Sequence, residues 1–218
     1  MPRHARLVLP EVPLHIIQRG NNRQPCFFAD EDYLTYLGWL NEQARQIGCR
    51  VHAYVLMTNH VHLLLTAADV GAPAALMKIL GQRYVQYINW RYRRSGSLWE
   101  GRYKAALVQD EAYLLLCHRY IEMNPVRAGL SDYPGQYRWS SYRANAEGRA
   151  DAIVEPHAIY QRLGVNAASR RLAYQALFAT PLQQRHVNNI RRATNGDFGL
   201  GNQAFLRWLA DARRQNVG

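Results

Sequence analysis

The chain has 218 residues, 48% of them apolar, enough to fill the core of one large domain or of one domain with an appendage, and global disorder is excluded. Its formal net charge is +11, carried almost wholly by arginine, since only Lys78 and Lys104 are lysines. Such a surplus calls for a polyanionic partner, with nucleic acid first, and arginine suits phosphate because its planar fork binds two oxygens and also stacks on bases. A genome rich in arginine codons would explain the choice of arginine over lysine but not the net charge.

Cys26, Cys49 and Cys117 are scattered without a Cys-x-x-Cys pair, so neither a zinc knuckle nor a disulfide framework is expected. The opening Met1-Pro-Arg-His-Ala-Arg is followed by only three apolar residues before Pro10, which does not read as a signal peptide. No apolar run approaches spanning length. A cytoplasmic protein without membrane contact is expected.

A first strand is expected over residues 13–19, ended by Gly20. The segment Arg19-Gly-Asn-Asn-Arg23 offers Arg19, Asn21 and Arg23 to phosphates or base edges, or is a plain turn. Asp30 opens a helix through Ile47, with Tyr33, Leu37, Leu40 and Ala44 at helical spacing, an acidic first turn and Gly48 at its end.

The stretch from Ala53 to Thr66 reads as two strands joined at Thr58-Asn59. His60 and His62 stand two apart in the second, so their imidazoles share a sheet face while Val61 points into a core. Two neutral imidazoles so fixed are half of a divalent-metal site. Two ordinary strand histidines, one hydrogen-bonded and one solvated, fit the same spacing.

A long helix is expected over residues 74–93, ending in Asn89-Trp-Arg-Tyr-Arg-Arg94. Arg91, Arg93 and Arg94 interleaved with aromatics suit single-stranded nucleic acid, or form a solvated basic helix end. A fourth strand over residues 102–109 carries Arg102 and Lys104, and a helix over 112–124 follows, with Asp110 as N-cap and Glu111 in its first turn. Strand, helix, strand, strand, helix, strand is the βαββαβ order of a ferredoxin-like α+β sandwich with a central antiparallel sheet, here with one more helix. The later helix should break at Pro125. Tyr120 and Asn124, four apart, share a face just before that break and deliver a phenol and an amide toward an open sheet face. Tyr120 as core, and Asn124 as a cap, are equally consistent with spacing alone.

Beyond Tyr142 the composition shifts. Residues 145–151 look like a polar linker, and helices are expected over 156–164, 167–178, 181–192 and 202–214. Residues 151–218 hold nine arginines against four acids. The expected division is residues 1–143 as the functional domain and 144–218 as a basic helical appendage.

His60-Val-His62, Tyr120 and the run Tyr120-Ile-Glu-Met-Asn-Pro-Val-Arg-Ala-Gly129 resemble the single-strand DNA transposases of the HUH type with one catalytic tyrosine. With its basic helical tail the chain is most similar to REP-associated tyrosine transposases, from about residue 2 to 142 and more loosely through Ile190-Arg-Arg192. The resemblance implies that His60, His62 and Asn124 hold Mg²⁺ or Mn²⁺ and that Tyr120 is the nucleophile. It implies a substrate too: a repetitive palindromic DNA hairpin with a single-stranded 5′ guide, cut through a 5′-phosphotyrosine intermediate. Arg119 or Arg127 would steady the phenolate. Arg19, Asn21, Arg23, Arg91, Arg93, Arg94, Arg102, Lys104, Arg127, Arg191 and Arg192 are the candidate DNA contacts, the appendage supplying its share. Relatives include domain-swapped dimers and monomers; a monomer is expected, because the Tyr120 helix closely follows its strand. Two rivals fit the same elements: a non-catalytic ferredoxin-like nucleic-acid-binding module, and a metal-dependent phosphodiesterase that uses water.

Overall fold

A computed structural model describes residues 6–109, 112–196 and 198–215. Strand β1 (Leu14–Arg19) leads through a 3-10 turn at Asn21–Arg23 to α1 (Asp30–Ile47), β2 (Cys49–Met57), β3 (His60–Ala67) and α2 (Ala72–Arg91). Next come β4 (Lys104–Val108), α3 (Ala112–Glu122) and α4 (Asn124–Arg127). The remaining elements are α5 (Tyr142–Glu147), α6 (Ala158–Gln161), α7 (Ala167–Ala176), α8 (Gln184–Asn195), β5 (Gly199–Leu200) and α9 (Gln203–Gln215).

Local chemistry sets these boundaries. The Asp32 carboxylate accepts the backbone N–H groups of Phe28 (2.8 Å) and Ala29 (3.0 Å), satisfying donors that the start of α1 leaves open. Gly48, at φ 78°, closes that helix in the left-handed conformation. Thr58-Asn59 is the whole connection between β2 and β3. Helix α2 begins and ends two residues earlier than its periodicity suggests, with Pro73 in its first turn, where a missing N–H costs nothing. Arg93 and Arg94 therefore lie beyond the helix, and Arg93 adopts φ 50°. The helix bearing Tyr120 ends at Glu122, two residues earlier than Asn124, which starts the separate α4 with Pro125 as its second residue. Asp110 and Glu111, the expected N-cap and first turn, lie outside the described residues.

The sheet order is β2-β3-β1-β4-β5. The first four strands are antiparallel in the ferredoxin-like arrangement, and β5 pairs in parallel with the outer edge of β4. Two residues are too few for a periodic signal, which is why β5 escapes sequence reading. One face carries Leu14, Ile16, Leu63 and Leu65 against Tyr36, Leu40, Leu80 and Tyr84 of α1 and α2. The other carries Ala53, Val55, Leu64 and Val108 against Leu114 and Ile121 of α3 and Val187 and Ile190 of α8. Leu114 and Ile121 are fully buried, each contributing about 2 kcal/mol that pins α3 to the sheet. The second face is thus covered, not open as its sequence suggests. The polar linker is also corrected: residues 142–147 are helical and Asn145 is buried, because its amide is needed inside.

Candidate active site

Alternation along β3 sends His60 and His62 to the α3 face, and the antiparallel register sets them opposite Arg19 and Ile17 of β1. Their ring centroids lie 4.9 Å apart, with planes at 76°. From α3, Tyr120 brings its ring edge-on to His62, centroids 5.7 Å apart. Asn124, a turn later, donates from Nδ2 to the Tyr120 carbonyl (3.0 Å), a bond that closes the helix end before Pro125. These groups, with Arg19, Arg127, Arg191, Asn195, Ile17, Met57 and Ala128, line one pocket of about 250 Å³.

Arg127 reaches across the pocket wall. Its guanidinium donates to the Tyr120 carbonyl (3.1 Å) and to Asn124 Oδ1 (2.8 Å), and its central carbon stands 4.2 Å from the Tyr120 ring centroid. Of the two arginines considered for the phenolate, Arg127 is the one that lies against the Tyr120 ring. Arg119 instead donates to the Thr180 carbonyl on the far side of the helix.

The imidazoles are neutral at physiological pH. Burial pulls His60 down to about 4, helped by the charges of Arg19 and Arg127. Burial first, then His60, His15 and the same two arginines, holds His62 well below its usual range. The Nδ1 atom of His60 meets Asn59 Oδ1 at 2.6 Å, and that of His62 meets His15 Nε2 at 2.9 Å. An amide oxygen can only accept, so His60 carries its hydrogen on Nδ1 and its Nε2 is a bare lone pair. Asn124 Oδ1 has a second lone pair beyond the one that takes Arg127. Two imidazole nitrogens and an amide oxygen fit a divalent cation. Among the described residues no group of three or more His, Cys, Asp or Glu side chains forms a metal cluster; beside the two histidines the pocket is lined by the Asn124 amide.

The candidate DNA residues divide. Asn21 and Arg23 are exposed beside the pocket, because the Gly20 N–H donates to the Asn59 carbonyl (2.8 Å) and the Asn59 amide donates to the Arg23 carbonyl (3.0 Å). Gly20 has ordinary φ; it is glycine because a Cβ would collide with the Gln24 carbonyl. Lys104 lies near the pocket through Asn195, to which its ammonium donates (3.0 Å). Arg192 and Arg102 are exposed outside it. Arg91 pairs with Glu31 (3.5 Å) and Asp32 (3.6 Å), so part of its charge is answered within the fold, while Arg94 lies over Phe28. Sequence reasoning passed over His15 on β1. Strand alternation together with the ferredoxin-like strand order puts it on the face of His62.

Against proteins of known structure, the chain is similar to a REP-associated tyrosine transposase bound to a REP hairpin, at 14% identity and TM-score 0.59 over 72% of this chain and 93% of that one. That likeness concerns the fold. A putative transposase from Deinococcus radiodurans matches at 21% identity and TM-score 0.38, over 62% of this chain and 97% of its own, too loosely to argue from. No curated protein matches. The family model described as "Transposase IS200 like" matches residues 9–124, the span from before β1 through His60, His62 and Tyr120 to Asn124. The chain belongs to the IS200-like transposase family.

Proposed function

We propose that the protein is a REP-type tyrosine transposase of the HUH kind: it cuts and rejoins single-stranded DNA beside palindromic hairpins through a covalent link to Tyr120. The observation that carries this reading is the convergence of Tyr120 on His60 and His62 in an arginine-lined pocket. The Tyr120 oxygen attacks the phosphorus, the bond to the 3′-oxygen breaks, and the phenol's proton is balanced by one taken up at the departing 3′-oxygen. A 5′-phosphotyrosine and a free 3′-OH result, so the bond energy is kept and no nucleotide triphosphate is needed. Attack by another 3′-OH reverses the step and transfers the strand.

His60, His62 and Asn124 would hold Mg²⁺ or Mn²⁺, which when bound draws off negative charge developing on the phosphate. Arg127 sits against both the phenol and Asn124, so the same cation steadies the nucleophile and faces the phosphate. Arg19 and Arg191 line the pocket walls, and Asn21, Arg23, Arg93, Arg94, Arg102, Lys104 and Arg192 extend the surface for hairpin and guide. In this division residues 1–143 carry the chemistry and 144–218 add basic DNA surface. Tyr120 meets the histidines of its own chain, which favours a monomer. The covered sheet face speaks against an RNA-binding-type module, which needs exposed aromatics on central strands.

The test is cleavage of labelled hairpin DNA with Mn²⁺ on denaturing gels, beside Tyr120→Phe. A protein–DNA adduct in wild type that is absent from the variant is expected. Cleavage surviving in the variant would make water the nucleophile, and binding without any adduct would leave a non-catalytic module.

A further inference from the structure

Behind His62 runs a line of buried polar groups that ends on α8. His62 Nδ1 lies 2.9 Å from His15 Nε2, His15 Nδ1 lies 3.1 Å from Thr194 Oγ1, and the Thr194 hydroxyl donates to the Ile190 carbonyl at 2.9 Å. His15, His62 and Thr194 are all at most 2% exposed. The two imidazole planes are within 9° of parallel with centroids 5.1 Å apart. That separation is nearly the longest that a 2.9 Å contact between ring nitrogens allows. The rings therefore meet edge to edge in one plane, as a linear N–H···N bond requires, and are not stacked face on face.

The hydrogens along this line follow from its far end. Thr194 has one hydroxyl hydrogen and gives it to the carbonyl one turn back, the habit of a threonine inside a helix. Its oxygen can then only accept, so His15 carries its hydrogen on Nδ1. No carboxylate bonds to either ring among the described residues, and a buried imidazolium without a partner is costly, so His15 is neutral and its Nε2 is an acceptor. His62 must then donate from Nδ1, which leaves its Nε2 as a bare lone pair on the pocket side.

We propose that His15 and Thr194 are positioning residues that lock His62 in the tautomer whose Nε2 faces the pocket as a ready ligand. This rests on the reading of His62 as a metal ligand, and it deepens that reading. A ligating histidine ordinarily needs a partner on its other nitrogen to set ring orientation and basicity. Here that partner is a second histidine, itself held by a helix of the C-terminal segment. The segment proposed to add DNA surface thus also reaches the back of the catalytic pocket.

Two-bond ¹H–¹⁵N correlation on the full-length, metal-free protein reads the tautomer directly. His62 protonated on Nδ1 is expected, and His62 protonated on Nε2 in wild type would overturn the proposal. Mn²⁺ binding, followed by electron paramagnetic resonance, supplies the second readout. His15→Phe, which removes the acceptor, should weaken it about 10- to 100-fold. His15→Gln, whose amide oxygen can still accept, should recover most of the loss, and Thr194→Val should fall between. Hairpin binding in EDTA should be unchanged in all three. His15→Phe binding Mn²⁺ as tightly as wild type, with a normal melting curve, would also overturn the proposal. A wild type with the expected tautomer but no Mn²⁺ binding would sustain the lock and overturn the metal reading of His62.

Discussion

Helix α3 and the residues just after it carry polar groups on two faces, and the two are finished differently. Toward the pocket stand Tyr120 and Asn124; turned away between them is Glu122, fully buried. Its Oε1 accepts the Ser141 hydroxyl (2.6 Å) and the Asn145 amide (2.9 Å), and its Oε2 accepts the Tyr174 hydroxyl (2.6 Å). Each of those donors is supplied by or beside the helices α5 and α7. On the pocket face the histidines keep one nitrogen each for something not part of the fold. On the Glu122 face the carboxylate is saturated by the fold itself. Two polar clusters two residues apart are therefore finished in opposite ways: one leaves lone pairs open toward the pocket, and the other is closed within the fold and holds the helix that carries both.

Substitutions should separate the two faces. His60→Ala is expected to lower the rate of adduct formation about a thousandfold, through lost stabilisation of phosphate charge. Its melting temperature should stay within about 2 °C of wild type, since the ring is only half-buried. Glu122→Ala should do the reverse. Removing the shared acceptor of three buried donors should cost about 4 kcal/mol in urea titration, while adduct formation by the folded fraction stays within about threefold. A Glu122→Ala protein as stable as wild type would erase the distinction.

The Glu122 cluster also carries a pH signature. Burial, opposed by its three hydrogen-bond donors, lifts the carboxyl from 4.5 to about 7. The folded state thus holds this proton more tightly than the unfolded chain. The associated stability is fully present below about pH 4.5 and is lost as pH rises toward 7, at most about 3 kcal/mol. Between pH 5 and 7.5 the melting temperature of wild type should fall relative to Glu122→Gln, which cannot ionise. Parallel curves would mean that Glu122 is ionised throughout.

Periodicity carries much of this architecture. The 18 residues of α1 match their apolar spacing end to end, and alternation alone puts His60 beside His62 and Val61 behind them. Helical spacing likewise pairs Tyr120 with Asn124. What spacing cannot report is who answers a charge. Arg91 reads as free basic surface but faces Glu31 and Asp32, sixty residues away in the chain. Asn145 reads as linker because its neighbours are polar, yet its amide donates to Glu122 and to the His52 carbonyl. His15 sits among the apolar residues that open β1 and acquires meaning only once β1 lies against β3. Each of these depends on a long-range pairing that one-dimensional pattern does not contain.

The smallest effect concerns the residue that joins pocket and helix. Arg127 occupies one lone pair of Asn124 Oδ1 and lays its positive charge over the Tyr120 ring. A divalent cation on Asn124 would therefore sit beside another cation, and the two repel. Arg127→Ala removes that repulsion together with the charge proposed to steady phenolate and phosphate. Mn²⁺ should bind about threefold more tightly while adduct formation slows about 30-fold, near 2 kcal/mol of barrier. Arg127→Lys keeps the charge but loses the fork that spans the Tyr120 carbonyl and Asn124 together, so it should recover part of the rate. Calorimetric Mn²⁺ titration beside single-turnover cleavage reads both quantities. If affinity and rate fall together, Arg127 serves only to hold Asn124 in place and belongs with the saturated face of the helix.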